Sequence, residues 1–443
     1  MTNVKPVLNP LSLKRNFSWS LLGNLVYGIC QIGTLAAIAK LGTPEMLGQF
    51  TLGIAIVTPI SLLFNLNLRA IQATDSQHRY QFGEFFGLRL VTNFLAWLLT
   101  LIAVFSAGYH PNTIIIVVLL ASCKVIDYFS DLFYGLWQQY ERLDKVAQST
   151  ILRSVLSLLL LSISLWATRD LFWATISYLG ASLLTVLLYD LPTTVILVQQ
   201  RFQLDRTQQA IEQLRPQFSR LKLWQLTKLS LPVGLSWMML SLSTNVPRYV
   251  IERVLGDYEL GIFSAIAYLP ISGLTLVFAL GQASLTRLSK YYSTGEWLAF
   301  QKLLMRLIAV VFGLGSTGLM IAILFGRVIL AVTYRSEYAE QATVLVLLMI
   351  WAVIHYTAWC LDYAATAARR FHDSLKISAL KLGCITIASV LFIPRYGIMG
   401  AAIALLIDSV IQLFGMSAII WNAIQQLKQL TQSHRNDEAN HSV

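Results

Sequence analysis

The sequence is dominated by apolar runs of about twenty residues, the length a helix needs to cross the hydrocarbon core of a bilayer. Residues 114–123, 155–167, 344–353 and 401–407 are the densest stretches within such runs. Windows of that size predict about twelve spans. They cover residues 17–40, 46–68, 86–108, 113–136, 146–167, 172–197, 229–252, 260–285, 303–325, 342–366, 374–393 and 398–421. A backbone in lipid must satisfy its own polar groups, so each span is expected to be a helix. Composition agrees: 12% of residues are charged, against about 25% in soluble domains. The expected class is therefore an all-α polytopic membrane protein. Trp19, Trp137, Trp166, Trp173, Trp224, Trp297 and Trp421 fall near span ends, where indole rings favour the interface.

Lys and Arg set the orientation. With the N-terminus inside, Lys5, Lys14, Arg15, Arg69, Arg79, Arg89, Arg142, Lys145 and Arg153 fall on the inner side. So do Arg201, Arg206, Arg215, Arg220, Lys222 and Lys228, and later Arg287, Lys290, Lys302, Arg306, Arg369, Arg370, Lys376, Lys381, Lys428 and Arg435. The outer side keeps Lys40, Arg169, Arg253, Arg327, Arg335 and Arg395. This is the positive-inside pattern, with both termini cytoplasmic. It accounts for the net charge of +11 through an anionic leaflet and needs no nucleic acid. The first apolar stretch is too long for a signal peptide and carries Asn24 and Gln31, so it reads as an uncleaved span. Cys30, Cys123, Cys360 and Cys384 lie apart in apolar segments, a pattern of core residues without a disulfide framework or a metal site.

The chain repeats itself. Leu41-Gly42, Gly48-x-Phe50 and Pro59-Ile60-Ser61 recur in order as Leu255-Gly256, Gly261-x-Phe263 and Pro270-Ile271-Ser272. Arg89-Leu90 and Arg306-Leu307 open the third span of each half. The reading is two six-helix lobes, residues 1–200 and 226–425, related by a pseudo-twofold axis along the membrane normal. Residues 426–443 form a cytoplasmic polar tail. Between the lobes, residues 201–225 are basic, with Ile211, Leu214, Phe218 and Leu221 at helical spacing. That suggests an amphipathic helix on the membrane surface; a plain connector helix is the alternative.

No Gly-x-x-x-x-Gly-Lys phosphate loop, His-Glu-x-x-His or His/Cys cluster occurs, so neither nucleotide hydrolysis by that loop nor a metal or cofactor is expected. The expected outer loops are short, which disfavours a membrane-embedded polymerase or ligase. Polar residues instead form stripes. Asn24, Tyr27, Gln31 and Thr34 share a face of the first span; Thr51, Thr58, Asn65 and Gln72 repeat along the second, with Ser61 and Arg69 beside them. Ser241, Asn245, Arg248 and Glu252 line the seventh span, and Ser264, Tyr268, Thr275 and Gln282 the eighth. A polar face is unfavourable in lipid, so these stripes either face one another across a shared cavity or join helices by hydrogen bonds. The buried acids Asp127, Asp131, Asp190, Asp362 and Asp408 lie on other spans, and Lys124 and Lys381 are placed to pair with them. His355 and Asp362, seven residues apart, could relay protons; a hydrogen-bonded structural histidine is the other reading.

The segment Leu41-Gly42-Thr43-Pro44-Glu45-Met46-Leu47-Gly48-Gln49-Phe50, with Asn65-Leu66-Asn67-Leu68-Arg69, resembles bacterial polysaccharide exporters. Asn245-Val246-Pro247-Arg248-Tyr249 and Tyr396-Gly397-Ile398-Met399-Gly400-Ala401-Ala402 do so too. The family is that of the Wzx-type flippases of lipid-linked oligosaccharides, in the superfamily that also holds multidrug antiporters. The resemblance implies two lobes forming a V around a cavity with alternating access. It also implies, as substrate, a sugar repeat unit on a polyprenyl pyrophosphate, and a place in the bacterial inner membrane. Polysaccharide polymerases are then natural partners, and the chain would work as a monomer among membrane lipids. A pyrophosphate crossing a low-dielectric region needs cations, and guanidinium grips phosphate oxygens with a planar fork. Arg69 and Arg248 are the expected headgroup contacts, snorkelling to the nearest interface being the other reading of each, with Asn24, Gln31, Asn65, Asn245 and Tyr268 as further substrate contacts. His355, Asp362 and Glu252 are the candidates for ion coupling. A multidrug cation antiporter of the same fold is the alternative; it would rely on Glu252, the one acid on a cavity stripe.

Overall fold

The computed structural model describes residues 11–75, 79–202, 207–368 and 370–441. Lys5, Arg206 and Arg369, counted above toward the inner side, lie outside the described residues. Among the described residues no strand forms, and eleven helices are long and apolar enough to cross a membrane. The seventh expected span, 229–252, lies inside a further helix of 36 residues. That helix is about 54 Å long at 1.5 Å per residue. Its apolar character is diluted by Ser236, Ser241, Asn245, Arg248 and Glu252.

The chain divides into two compact units, Met1–Ser241 and Leu242–Val443. The first holds α1 (Leu13–Leu41), α2 (Pro44–Asn65), α3 (Leu68–Thr74), α4 (Phe82–Ala107), α5 (Pro111–Gln139) and α6 (Leu143–Thr168). It continues with α7 (Leu171–Thr185), a π-helical turn at Val186–Asp190, α8 (Leu191–Phe202), α9 (Thr207–Gln213) and most of α10 (Arg220–Leu255). The second unit holds α11 (Asp257–Ser293), α12 (Trp297–Thr333), α13 (Ser336–Ala339), α14 (Ala342–Ala367), α15 (Phe371–Tyr396) and α16 (Ile398–His441). In unit 1, α5 packs on α2, α4 and α7, α2 on α4, and α6 on α7. In unit 2, α14 packs on α11, α12 and α16, α11 on α12, and α15 on α16. These five pairings of one unit thus recur in the other. The repeated Pro59 and Pro270 both sit inside helices, α2 and α11, and the repeated Phe50 and Phe263 are both buried.

The outer faces fit lipid. Met320, Ile323, Leu324, Phe325 and Val328 are all exposed on α12, as are Phe94, Ile102 and Phe105 on α4. Apolar surface of that extent is untenable in water and is the expected outward face of a spanning helix.

Two breaks matter for function. The polar stripe expected to run on from Asn65 to Gln72 is interrupted, because Leu66 and Asn67 adopt positive φ (55° and 49°). This left-handed corner ends α2 and starts α3, re-aiming Arg69 and Gln72. The amphipathic helix expected over 201–224 is also interrupted. Pro216 disfavours helical geometry at Arg215, so α9 stops at Gln213 and α10 begins at Arg220. Of the four expected apolar positions there, Leu214 is buried, while Ile211, Phe218 and Leu221 are exposed. The intervening strap crosses the first turns of α4, where the Gln217 amide donates to the Gly83 carbonyl at 2.7 Å. A Cβ at Gly87 would stand 2.2 Å from the Gln217 carbonyl oxygen, so the close approach requires glycine.

Candidate functional site

The charged residues of unit 1 converge on α5. Asp127 and Asp131 lie one turn apart and point to one side, and cations from three other helices reach them. Arg69, carried by α3 beyond the corner, donates to Asp131 at 3.4 Å and to the Gln138 side chain at 3.2 Å. Arg89 from α4 stands 3.8 Å from the other Asp131 oxygen. It also donates to the Asn65 carbonyl at 3.1 Å, satisfying an orphan acceptor at the end of α2. Arg89 therefore ties the corner that positions Arg69.

One turn earlier, Asp127 accepts from Arg153 of α6 at 3.0 Å and pairs with Lys124 at 3.5 Å. Arg153 also donates to Asp190 at 3.0 Å and to the Ser130 hydroxyl. Asp190 owes its position to the π-helical turn that ends on it. Pro192 two residues on cannot donate in an α-helical ladder, and a widened turn accommodates the missing bond. The Asp190 carboxylate, 0% exposed, accepts from Ser130 and Ser149 at 2.5 Å each as well as from Arg153. A buried carboxylate with three donors is satisfied; it fixes the network and is not available to a substrate.

Between these groups lies a cavity of about 240 Å³. It brings together Tyr27, Gln31, Thr34, Asn65 and Arg69 of the polar stripes with Lys124, Asp127, Asp131 and Arg153. Asn24, from the same stripe as Gln31, is exposed and does not line it. Thr34, Thr51 and Thr58 donate to their own helices' carbonyls, of Cys30, Leu47 and Ile54, so these hydroxyls need no cavity to be satisfied. The charge sum is positive: Arg69, Arg89, Lys124 and Arg153 face Asp127, Asp131 and Asp190. Lys124 and Arg69 are the most exposed cations of the set, with side chains 36% and 32% accessible.

Arg89 and Arg153 correct the sequence reading. The inner-side count of Lys and Arg assigns them no contacts, yet Arg89 is the eighth residue of α4 and Arg153 the eleventh of α6. Their side chains are 0% and 14% accessible. Both are structural members of the network, and a charge count cannot see depth. The signal for Arg153 was present: Ser149, Arg153 and Ser157 recur every fourth residue on one face of α6, and the two serines are buried.

In unit 2, Arg248 donates to the Asn245 side chain at 2.7 Å and lies near Tyr249 and Tyr268. Glu252 pairs with Arg253 at 3.6 Å. Deeper, Lys381 pairs with Asp408 at 3.2 Å and donates to Gln412 at 2.6 Å, and Gln412 donates to Asp362 at 2.5 Å. His355 has other partners. Trp359 donates to its Nε2 at 3.0 Å, and its Nδ1 lies 3.0 Å from the Ser409 hydroxyl. Indole can only donate, so Nε2 is an acceptor and Nδ1 carries the proton. The structure thus gives His355 and Asp362 separate networks.

At one end of unit 1, a cavity of about 900 Å³ opens between α3, the start of α4, the ends of α5 and α8, α9 and the strap. Burial pushes the phenol of Tyr140 on its wall above the usual range, with Arg201 opposing, so its hydroxyl is neutral. Among the described residues, no group of three or more His, Cys, Asp or Glu side chains could hold a metal ion.

Comparison with known proteins agrees with this architecture. The sequence profile of a family described as polysaccharide biosynthesis protein matches residues 13–292. The capsular polysaccharide biosynthesis protein CapF of Staphylococcus aureus is 26% identical over 399 residues, 90% of this chain and 97% of that one. Among solved structures, an inward-facing multidrug resistance transporter of the MATE family, in the MOP superfamily, superposes with a TM-score of 0.66. The two share 14% identity, over 96% and 97% of the chains. A MOP superfamily transporter from Pyrococcus furiosus, described as having a binding pocket of reverse polarity, gives 0.57 at 16% identity, over 94% of each chain. At that identity the two structures speak for the fold.

Proposed function

Because the chain belongs to the polysaccharide biosynthesis protein family, matched over residues 13–292, we propose that it is the transporter of that process. Its cargo is an oligosaccharide on a polyprenyl pyrophosphate, turned from the inner to the outer leaflet of the cytoplasmic membrane by alternating access. In this reading the chain catalyses no reaction and works as a monomer, with both termini cytoplasmic, handing cargo to polysaccharide polymerases.

The observation that supports it is the sign of the unit 1 cavity. Three lining cations (Arg69, Lys124 and Arg153) against two lining carboxylates (Asp127 and Asp131) leave one positive charge in a site walled by helices, and Lys124 and Arg69 are its most accessible cations. A pyrophosphate is the anion such a site suits, since charge-assisted contacts to phosphate are the strong ones. Gln31 and Asn65 stand beside them as neutral donors. Arg248, with Asn245 and Tyr268, is assigned the corresponding contacts on α10 and α11. Export of a cationic drug would call for a carboxylate ready to receive it, and Asp127 and Asp131 are both already paired.

The test is complementation of a deletion strain. Arg69→Ala, Lys124→Ala and Arg248→Ala are each expected to lower surface polysaccharide at normal protein level. Each charged contact is worth about 1.5–3 kcal/mol, hence a loss of about 10- to 150-fold in cargo affinity. Arg69→Lys is expected to restore part of the loss, because an ammonium keeps the charge and loses the fork. Full export by the triple alanine variant overturns the assignment. Cation resistance that depends on Glu252 moves the function to drug export.

A further inference from the structure

The 900 Å³ cavity of unit 1 differs in chemistry from the small cationic one beside it. Its wall carries one cation and one anion, Arg201 and Glu212, so their charges cancel. The remaining polar lining is amide: Gln81, Gln139, Gln209, Gln213 and Gln217 face it, with Gln72 at its inner end. Tyr80, Phe82, Tyr140 and Phe202 supply aromatic surface. Each amide offers two donors and an acceptor, which suits vicinal hydroxyl pairs, and rings suit the apolar faces between them. A site that is neutral, rich in amides and aromatic is the opposite of a phosphate site and matches a neutral polyhydroxylated ligand. Its volume lies within the usual range of ligand pockets, about 300–1,000 Å³.

The cavity is built and not a loose gap. Its rim is the strap, held by the Gln217 amide on the Gly83 carbonyl and by Gln217 Nε2 donating to Gln81 Oε1 at 3.0 Å. Just past the strap, Lys222 grips Glu84 of α4 at 2.7 Å. Gln139 is anchored by donating to the Asp75 carbonyl at 3.2 Å. Gln209 and Gln213, one turn apart on α9, are exposed, and their side-chain amides have no hydrogen-bond partner among the described residues. The two cavities also share a wall. On α3, Arg69 serves the cationic cavity and Gln72 the amide one. At the end of α5, Gln138 binds Arg69 while Gln139 lines the amide cavity.

We propose that this cavity binds the glycan of the cargo, receiving neutral sugar residues beside the site that takes the diphosphate. The proposal rests on the transport reading above, which supplies the cargo. Neutral sugar could come from two sources, the lipid-linked repeat unit or a soluble nucleotide sugar, and the experiment separates them.

The full chain, purified in detergent, is titrated by equilibrium dialysis with three probes. They are the free repeat-unit oligosaccharide released from the producing bacterium's own polymer, a sugar-free polyprenyl diphosphate, and a uridine diphosphate sugar. The unaltered chain is expected to bind the first two. Gln209→Ala/Gln213→Ala, on an exposed helix face, is expected to weaken the free oligosaccharide about tenfold, as loss of two neutral hydrogen bonds implies, and to leave the diphosphate within twofold. Arg69→Ala/Lys124→Ala is expected to do the reverse. Oligosaccharide binding unchanged in the double glutamine variant overturns the proposal, as does absence of oligosaccharide binding by a chain that binds the diphosphate. Tighter binding of the nucleotide sugar than of the oligosaccharide overturns the cargo assignment. Failure of the diphosphate to bind strikes the transport reading itself.

Discussion

Arg153 is where the charge network of unit 1 makes its most exacting demand. Replacing it with Met removes hydrogen bonds to Asp127, Asp190 and Ser130; Asp127 keeps Lys124, but Asp190 is stranded without its cation. Asp190 is fully buried, so water cannot take over. Removing one partner of a buried pair costs about 3–5 kcal/mol. For a unit of this size, each kcal/mol moves the unfolding midpoint by about 2–4 °C, so Arg153→Met is expected to lower it by about 6–20 °C. Adding Asp190→Asn removes the stranded charge and keeps an oxygen that accepts from Ser149. The double variant is therefore expected to melt above the single one, with a coupling of about 0.5–3 kcal/mol. The assay is thermal unfolding of the purified protein in detergent, followed by tryptophan fluorescence. A single variant that melts with the unaltered protein refutes the reasoning, and so does a double variant in which the two losses simply add.

Lys381→Met should behave similarly in unit 2, because it leaves Asp408 buried without its ammonium; Asp408→Asn should recover part of the lost midpoint, and strict additivity would exclude the pair as a unit. Gly87→Val drives a side chain into the Gln217 carbonyl, so trypsin should cut faster after Arg220, at the end of the strap; an unchanged cleavage rate would show that the strap does not depend on that contact. Gln208→Cys should react with an impermeant thiol reagent after the membrane is opened, and Asn112→Cys in intact cells; labelling at 208 from outside would reverse the orientation.

What was legible in the sequence is what lipid enforces locally. Long apolar runs have one solution in a bilayer, and the helices they predict all form, with polar residues such as Asn245 and Arg248 thinning the seventh. Features set by contacts between helices were less visible. Tyr27, Gln31, Thr34, Asn65 and Arg69 could be drawn onto faces by periodicity, and they do line one cavity. Arg69 reaches Asp131, however, only because the chain turns at Leu66-Asn67 and Arg89 caps that turn. A left-handed leucine is not something propensity predicts. Arg89 and Arg153 entered the sequence reading only as inner-side charges because depth depends on where a helix begins: Arg153 sits about 15 Å into α6 at 1.5 Å per residue. The amide cavity was invisible because its wall comes from five separate stretches of chain, and its rim depends on a helix that stops before Pro216.

The central claim, that this chain carries a lipid-linked oligosaccharide between leaflets, is tested most directly by following the cargo itself. Cells lacking the chain are converted to spheroplasts, and the lipid-linked repeat unit is labelled with an impermeant reagent before and after the membrane is opened. The account predicts that the repeat unit accumulates and is reached only after opening, and that the intact gene restores outer-face labelling. Outer-face labelling at the normal level in the deletion strain would contradict it.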